Sequence, residues 1–387
     1  MNGNGRPLRA AAFALALTAL AAGLTACDEA REGHAPAETY RLVGYLFGPR
    51  GGEVREADAA RLTHINYAFA NVRNDSVVLE SPDDPANLAR LTALRAGHPE
   101  LRILLSVGGW SWSENFSDAA LTEASRETFA QSAVALMTRF ALDGLDIDWE
   151  YPGQPGEDNV YREADRENFT LLLRTLRERL DRQSDRDGRA EGRRYELTIA
   201  AGAGEEYLAH TDLGAAAEYL DFINLMTYDF HGPWTERTGH HANLYPPSGV
   251  AAPSGAEAVE ALLRAGVPAR KVVLGAAFYG YGWRGVRPEN DGLYQPYEGR
   301  VESYPYHVLA GRYVGRNGYE RHWDDAAKAP YLWQPDSLVF ISYEDEASLR
   351  EKGRYAREKG LGGVMYWEHT GDADGALLKA LYEALHG

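Results

Sequence analysis

Residues 143–150 read Asp-Gly-Leu-Asp-Ile-Asp-Trp-Glu, so acidic and apolar side chains alternate along the segment. Successive side chains of a β-strand point to opposite faces, which places Asp146, Asp148 and Glu150 on one face. If the apolar face packs on helices, the acidic face points into a barrel and climbs to its carboxyl-terminal mouth. The segment therefore predicts an inner barrel strand that carries three carboxylates.

Apolar runs of strand length recur along the rest of the chain and alternate with longer amphipathic stretches. This alternation is typical of a parallel sheet with helices outside, and eight such units predict an α/β fold, a (β/α)8 TIM barrel. The predicted strands are Leu42–Phe47, Thr63–Ala70, Arg102–Val107, Gly144–Glu150, Glu196–Ala201, Phe222–Tyr228, Val272–Tyr279 and Gly363–Trp367. The predicted helices are Thr122–Phe140, Glu163–Leu180, Glu257–Ala265, Asp345–Lys359 and Ala376–Leu385.

An open doubly wound sheet is the alternative fold. It would carry a glycine-rich phosphate loop after the first strand, and the segment Gly48-Pro-Arg-Gly-Gly52 lacks the required spacing. Residues 282–342, rich in Tyr, Trp, Gly and Pro, predict a small α+β insertion between strand 7 and helix 7 of a catalytic barrel over residues 40–387. The charged run Asp181–Arg194 is interpreted as a solvated loop.

Composition narrows the range of partners. The 387 residues carry 40 Lys and Arg against 57 Asp and Glu, a formal net charge of −17. Nucleic acid is an unsuitable ligand because phosphate binding needs a basic face. One cysteine cannot form an intramolecular disulfide.

The amino-terminal residues predict export. Residues 1–26 hold two arginines followed by an apolar run, which is typical of a signal peptide. The tetrad Leu24-Thr-Ala-Cys27 resembles the lipobox of bacterial lipoproteins, in which the cysteine is acylated. We expect a lipoprotein signal peptide over residues 1–26, lipidation of Cys27, a tether over residues 27–39 and a protein anchored at the bacterial cell envelope or surface.

The acidic face predicts acid–base chemistry. Next neighbours on one strand face are about 7 Å apart, and partial burial makes it costly for all three carboxylates to ionise. At least one should therefore hold a proton near neutral pH, as a general acid requires. A structural charge network is one alternative, although it is costly without basic neighbours. A Mg²⁺ or Ca²⁺ site is another, although the segment contains no His.

The same segment resembles glycoside hydrolase family 18, the chitinase family, because it has that family's DxxDxDxE form. Four other segments agree with the family in chain order and extend the resemblance to nearly all of residues 40–386. They are His64–Phe69 for the second strand, Ser106–Trp110 for the SxGG motif, Met226–Asp229 for the MxYD motif and Gly362–Trp367 for the eighth strand.

The resemblance implies a chitinase that hydrolyses β-1,4-linked N-acetylglucosamine with retention, the substrate's 2-acetamido group acting as nucleophile. It implies that Glu150 is the general acid and base, that Asp148 orients the acetamido N–H, and that Asp146 lies beneath and shares a proton with Asp148. Tyr228 would donate its hydroxyl to the acetamido carbonyl. The other substrate-binding positions that it implies are Tyr45, Phe69, Trp110, Met226, Asp229, Tyr279 and Trp367.

No cofactor and no metal are expected, and the expected partner is chitin or a chitooligosaccharide bound by a monomer. Two other activities share the motif: an endo-β-N-acetylglucosaminidase that acts on N-glycans and a non-catalytic chitin-binding lectin. A third alternative is an interaction protein displayed by its lipid anchor. The presence of Glu150 argues against the lectin, and the intact motif set argues against the interaction protein. The chain departs from many chitinases at Tyr281, where they carry Arg, and this leaves the polarity near Tyr279 open.

Overall fold

The computed structural model describes residues 40–51 and 53–387. Eight parallel strands form the barrel, and each lies where a strand was predicted. They are β1 (Arg41–Phe47), β2 (His64–Arg73), β4 (Arg102–Gly108), β5 (Gly144–Asp148), β6 (Glu196–Gly202), β7 (Phe222–Met226), β8 (Val272–Ala277) and β14 (Gly363–Trp367). A short strand, β3 (Ser76–Val78), pairs antiparallel with the end of β2.

Pairing between the first and last barrel strands closes the sheet. The strand order is β1-β14-β8-β7-β6-β5-β4-β2, and β2 pairs back to β1. Arg41 to Gly44 lie in register with Gly363 to Tyr366 at this closure. The barrel prediction is confirmed, and the open doubly wound sheet is excluded.

Eleven α-helices are present among the described residues, and most of them pack outside the barrel. They are α1 (Glu56–Ala59), α2 (Asp84–Ala93), α3 (Phe116–Leu121), α4 (Glu123–Arg139), α5 (Asp165–Arg186), α6 (Glu205–Ala209), α7 (Leu213–Ala216), α8 (Gly255–Arg264), α9 (Tyr306–Arg312), α10 (Glu346–Glu358) and α11 (Ala376–His386). None of these helices combines the length and apolarity that a bilayer crossing requires.

The charged run after Leu180 differs from its interpretation as a loop, because α5 continues to Arg186. Two features explain the longer helix. Ser184 is fully buried on the same face as Leu180, and its hydroxyl accepts a hydrogen bond from the Tyr195 N–H at 3.0 Å. Arg177 also pairs with Asp181 one turn later at 2.8 Å.

The chain between β8 and α10 forms a second, five-stranded antiparallel sheet with α9 beside it. Its strands are β9 (Tyr279–Arg284), β10 (Val301–Pro305), β11 (Glu320–Asp324), β12 (Ala329–Gln334) and β13 (Val339–Ser342), in the order β10-β9-β13-β12-β11. The sheet begins at Tyr279, slightly before residue 282, where the insertion was predicted to start. We call residues 279–342 the insertion sheet.

The predicted acidic strand ends two residues early. β5 stops at Asp148, where the Gly109 N–H donates to the Asp148 carbonyl at 2.8 Å. The next residue, Trp149, keeps its outward direction and is buried against the ring of Phe116, with 5.3 Å between the ring centroids. The chain therefore leaves the ladder and still carries Glu150 at the mouth.

Candidate active site

The lowest of the three carboxylates, Asp146, is fully buried inside the barrel. It accepts hydrogen bonds from four side chains on four different strands: Tyr45 Oη at 2.8 Å, Ser106 Oγ at 2.7 Å, Thr198 Oγ1 at 2.5 Å and Asn224 Nδ2 at 3.2 Å. Burial raises the pKa of Asp146, and these donors act in the opposite direction. Each of its oxygens accepts two of these hydrogen bonds, and the proton that it is expected to share with Asp148 stays a prediction.

The middle carboxylate, Asp148, is in the opposite situation. It is 4% exposed, and its Oδ1 has no hydrogen-bond partner among the described residues. Burial, followed by the charges of Glu150 and Asp146, raises the pKa of Asp148 well above its ordinary value. A buried carboxyl oxygen without a donor is costly, so this position is prepared for a donor supplied by a ligand.

The carboxylate at the mouth, Glu150, is partly exposed. Its backbone N–H donates to Ser113 Oγ at 2.8 Å, which ties it to the segment after β4. Burial, together with the charge of Asp229, raises the pKa of Glu150 to about 7, while a hydrogen bond from Tyr151 acts to lower it. A carboxyl group with this pKa is half protonated near neutrality, which suits proton transfer in both directions.

Two glycines at the end of β4 leave room for neighbouring strands, Gly108 for the β5 backbone and Gly109 for Phe69 of β2. A side chain on Gly108 (φ +110°) would meet the Asp148 carbonyl oxygen at 2.1 Å, and one on Gly109 (φ +82°) would meet the Phe69 ring at 2.6 Å. These two contacts give a physical reason for the Gly-Gly pair that follows Ser106 in the sequence.

Aromatic rings form one enclosed group at the mouth, above β1, β2 and β14. Phe69 and Trp367 stack with 5.6 Å between centroids and 17° between planes, and Tyr45 and Phe47 each lie 5.9 Å from Trp367. Tyr45 is 2% exposed and Phe69 9%. We call Tyr45, Phe47, Phe69 and Trp367 the enclosed aromatic group. Met226 and Tyr228 pack against the same cluster of buried side chains.

The residues predicted after β7 meet the first residue of the insertion sheet. The Tyr279 hydroxyl donates to Asp229 Oδ1, and the rings of Tyr228 and Tyr279 lie 6.3 Å apart. Burial raises the pKa of Tyr228 well above its ordinary value, and the charge of Asp148 adds to this effect. The hydroxyl of Tyr228 therefore remains a proton donor close to Asp148.

Trp110 lies outside the enclosed aromatic group. Its side chain is 49% exposed, and its nearest ring contact is Tyr151 at 6.3 Å. The structure therefore brings together ten of the eleven predicted catalytic and substrate-binding residues, Asp148 and Glu150 among them, and leaves Trp110 on an open part of the mouth. Cys27, the predicted lipidation site, lies outside the described residues.

Several residues of the site were not predicted from the sequence. Ser113 joins the ends of β4 and β5, since the Gly109 and Asp148 carbonyls share its single hydroxyl hydrogen at 3.0 and 3.2 Å while its oxygen accepts from the Glu150 N–H. Glu368, 3% exposed, pairs with Arg50 at 2.5 Å next to Trp367. Their sequence positions after strand ends are a weak signal, because many loop residues share it.

Asp143, which has the other strand parity, has a structural position at the opposite end of β5. Its carboxylate accepts from Arg95 at 2.9 Å and from the Ile103 N–H at 3.1 Å. Within residues 40–51 and 53–387, no cluster of His, Cys, Asp and Glu is arranged to hold a metal ion.

The chain is also similar to known proteins. The sequence model described as "Glycosyl hydrolases family 18" matches residues 41–372. Chitinase A1 of Niallia circulans is 39% identical over 89% of this chain, and this chain spans 58% of that relative's length.

Two solved structures are also similar. A protein described as a glycoside hydrolase family 18 N-acetylglucosaminidase from Paenibacillus barengoltzii is 46% identical, with a TM-score of 0.84, over 90% of this chain and 100% of that one. A mutant of the class V chitinase from Nicotiana tobaccum, in complex with NAG4, is 28% identical, with a TM-score of 0.81, over 90% of this chain and 99% of that one.

Proposed function

Because the chain belongs to glycosyl hydrolase family 18, we propose that it is a chitinase that hydrolyses β-1,4-linked N-acetylglucosamine polymers or oligomers. One observation carries this proposal. The buried Asp148 Oδ1 without a donor lies next to Glu150, a carboxyl group whose pKa is raised to about 7. An acetamido N–H supplies the missing donor, and a protonated Glu150 supplies the acid that a glycosidic oxygen needs.

The proposed reaction has two steps. Glu150 gives its proton to the glycosidic oxygen as the bond to the anomeric carbon breaks, and the acetamido carbonyl oxygen of the same sugar bonds to that carbon. Asp148 accepts the acetamido N–H and stabilises the positive charge of the resulting oxazolinium ion. Glu150 then removes a proton from a water that attacks the anomeric carbon and displaces the acetamido oxygen, which restores both the acid and the acetamido group and retains the β configuration.

The groups around Asp148 and Glu150 each contribute to this reaction. Asp146, held by four donors, fixes the base of the acidic strand. Tyr228 donates to the acetamido carbonyl and so aligns it for attack. The enclosed aromatic group provides rings on which the apolar C–H face of the reacting sugar stacks. A chitooligosaccharide is accordingly the proposed partner.

Hydrolysis of chitohexaose by the full chain tests the proposal, with products followed by mass and anomers by NMR. Wild type should cleave with initial release of the β-anomer, and Glu150→Gln should lose about 10²- to 10⁴-fold in kcat. Glu191→Gln, the same change on an exposed residue of the turn before β6, is the matched control. Absence of cleavage by wild type, or a normal rate for Glu150→Gln, contradicts the proposal.

Release of single sugars is a second candidate, favoured by the similarity to the Paenibacillus barengoltzii protein. The same assay separates the two. Early accumulation of N-acetylglucosamine from chitohexaose supports an N-acetylglucosaminidase, whereas dimers and trimers support a chitinase. An N-glycan substrate would give cleavage of a glycoprotein glycan and none of chitohexaose.

The proposal extends to location: the chain is exported and anchored at the cell envelope through acylated Cys27. The motif at residues 24–27 supports it, and Cys27 is the single cysteine of the chain. Expression in a bacterial host with a clickable fatty acid should label wild type and leave Cys27→Ser unlabelled. Equal labelling of both proteins, or of neither, contradicts the anchor.

A further inference from the structure

Large apolar side chains are exposed at only a few places in the described residues, and all of these places lie on one end of the barrel. Each lies between the end of a barrel strand and the next major helix, where the mouth is built. The set is Trp110, Leu121, Val160, Tyr161, Trp234 and Val250. Exposed apolar residues that occur singly are normal, but a pair at adjacent positions beside a substrate cleft needs a reason.

Val160 and Tyr161 form such a pair, with 44% and 51% of their surface exposed. Anchors on both sides hold this part of the loop in place. The Val160 N–H donates to the Glu114 carbonyl at 3.3 Å, and the Arg162 guanidinium donates to Ser117 Oγ at 2.6 Å and pairs with Asp118. The exposure of the pair therefore belongs to an ordered conformation.

The loop also connects the pair to the catalytic residue. Tyr151 directly follows Glu150, and its carbonyl accepts a hydrogen bond from Asn159 Nδ2 at 3.4 Å. The same tyrosine ring lies 6.3 Å from Trp110. Both anchors of the pair, Glu114 and Ser117, belong to the segment that begins at Trp110. The pair is thus linked by hydrogen bonds to the segments that carry Trp110 and Glu150 at the mouth.

The chemistry of the surface selects its occupant. An aromatic ring and a branched aliphatic chain match the C–H face of a pyranose, and the neighbouring carboxylates of Glu157, Asp158 and Glu163 accept hydroxyl hydrogens. The same carboxylates repel a polyanion. An uncharged sugar with hydroxyl and amide donors fits both features.

On the basis of the proposed function, we propose that Val160 and Tyr161 form an additional sugar-binding position that engages only longer chitooligosaccharides, next to Trp110. The position lies outside the enclosed aromatic group. A substrate long enough to reach it gains stacking energy that a short substrate does not have. Chain-length preference is therefore set in part by this loop.

The test compares kcat/KM for chitohexaose and chitotriose in the full chain. Tyr161→Ala should lower the value for the hexamer about three- to tenfold, the range of a single ring contact, and leave the trimer unchanged. Tyr161→Phe should keep the wild-type values, because the ring face is retained. Leu121→Ala, which removes another exposed apolar side chain, is the matched control and should change neither substrate.

Equal losses on both substrates, or no loss on either, overturn the proposal. A binding measurement separates a folding defect from a lost contact: in a Glu150→Gln background, Tyr161→Ala should weaken hexamer binding alone at unchanged thermal midpoint. If wild type cleaves neither substrate, the proposed function is contradicted. The sugar position is then tested separately, by comparing hexamer binding to the Glu150→Gln variant with and without Tyr161→Ala.

Discussion

The two sides of the mouth hold aromatic residues in opposite ways. On the side of β1, β2 and β14, Tyr45 and Phe69 are at most 9% exposed and their rings pack on Trp367. On the side of β4, β5 and β7, Trp110 and Trp234 are 49% and 59% exposed and have few ring neighbours. Rings packed against one another hold a bound sugar in one position. Exposed rings let a bound sugar take many positions, so binding there costs the sugar little conformational entropy.

The difference assigns separate tasks to the two sides. The enclosed side must place one anomeric carbon within reach of the acetamido oxygen and Glu150, and small displacements there are expensive for catalysis. The open side holds the remainder of the substrate, where slippage is tolerated. Variants on the enclosed side should therefore affect every substrate, and variants on the open side should affect only long ones.

The largest effect should come from Asp148→Asn at the end of β5, because Asp148 acts on the reacting sugar that the enclosed side positions. The variant removes the charge that stabilises the oxazolinium ion, so kcat should fall about 10²- to 10³-fold for trimer and hexamer alike. Initial rates on both substrates check this, with Asp83→Asn at the surface as control. A loss confined to the hexamer would break the division between the two sides.

The next effect concerns the floor of the enclosed side. Trp367→Ala should lower kcat/KM about ten- to hundredfold on both lengths, because it removes the surface under the reacting sugar. The measurement is the ratio of the two losses, which should be close to one. Trp323→Ala on the insertion sheet is the control for removal of a tryptophan. A ratio far from one would mean that Trp367 contacts only the distal sugars.

The third prediction concerns pH and applies to both sides equally, because they share Glu150. Its raised pKa of about 7 means that kcat/KM should fall about tenfold for each pH unit above that value, as the acid loses its proton. Asp229→Asn removes a negative charge that raises this pKa, so the falling limb should move to lower pH. Profiles with trimer and hexamer should coincide in shape. A limb that moves to higher pH in Asp229→Asn contradicts the assignment.

The smallest effect is expected from Trp234→Ala on the open side. With 59% of this side chain already exposed, its loss should raise KM for the hexamer about threefold and leave kcat unchanged. The trimer should show no change. A large decrease in kcat for the trimer would show that Trp234 closes over the reacting sugar.

The sequence predicted all eight barrel strands because inner strands have a clear pattern of length and apolarity. β14 was predicted with the bounds that the structure has, while β5, β7 and β8 end two residues earlier than predicted. Strand ends are set by neighbouring backbone, as where Gly109 meets the Asp148 carbonyl, and this is invisible in a local pattern. β3 was missed, although Asn74 and Asp75, both at positive φ, are typical hairpin-turn residues.

For a similar reason, only part of the candidate active site could be predicted from the sequence. Strand parity places the acidic triad on one face, and the resemblance supplies the residues of other strands. Neither could identify the four donors that occupy Asp146, because Tyr45, Ser106, Thr198 and Asn224 meet only when the barrel closes. These donors compete for the same oxygens that a proton shared between Asp146 and Asp148 would need, and that shared proton stays a prediction. Side-chain competition for an acceptor is a property of the assembled barrel.

The closure between β1 and β14 has a consequence for biosynthesis. The two strands are separated by more than three hundred residues, which a ribosome adds in about 15 to 60 s. During that interval β1 can pair with β2 on one edge, while its other edge waits for a strand that does not yet exist. Each newly made chain therefore passes through an aggregation-prone state, an incomplete barrel with an unpaired strand edge, that lasts until the end of translation. A messenger truncated before the codon for Gly363 yields a chain that remains in this state and depends on chaperones or proteases for its removal.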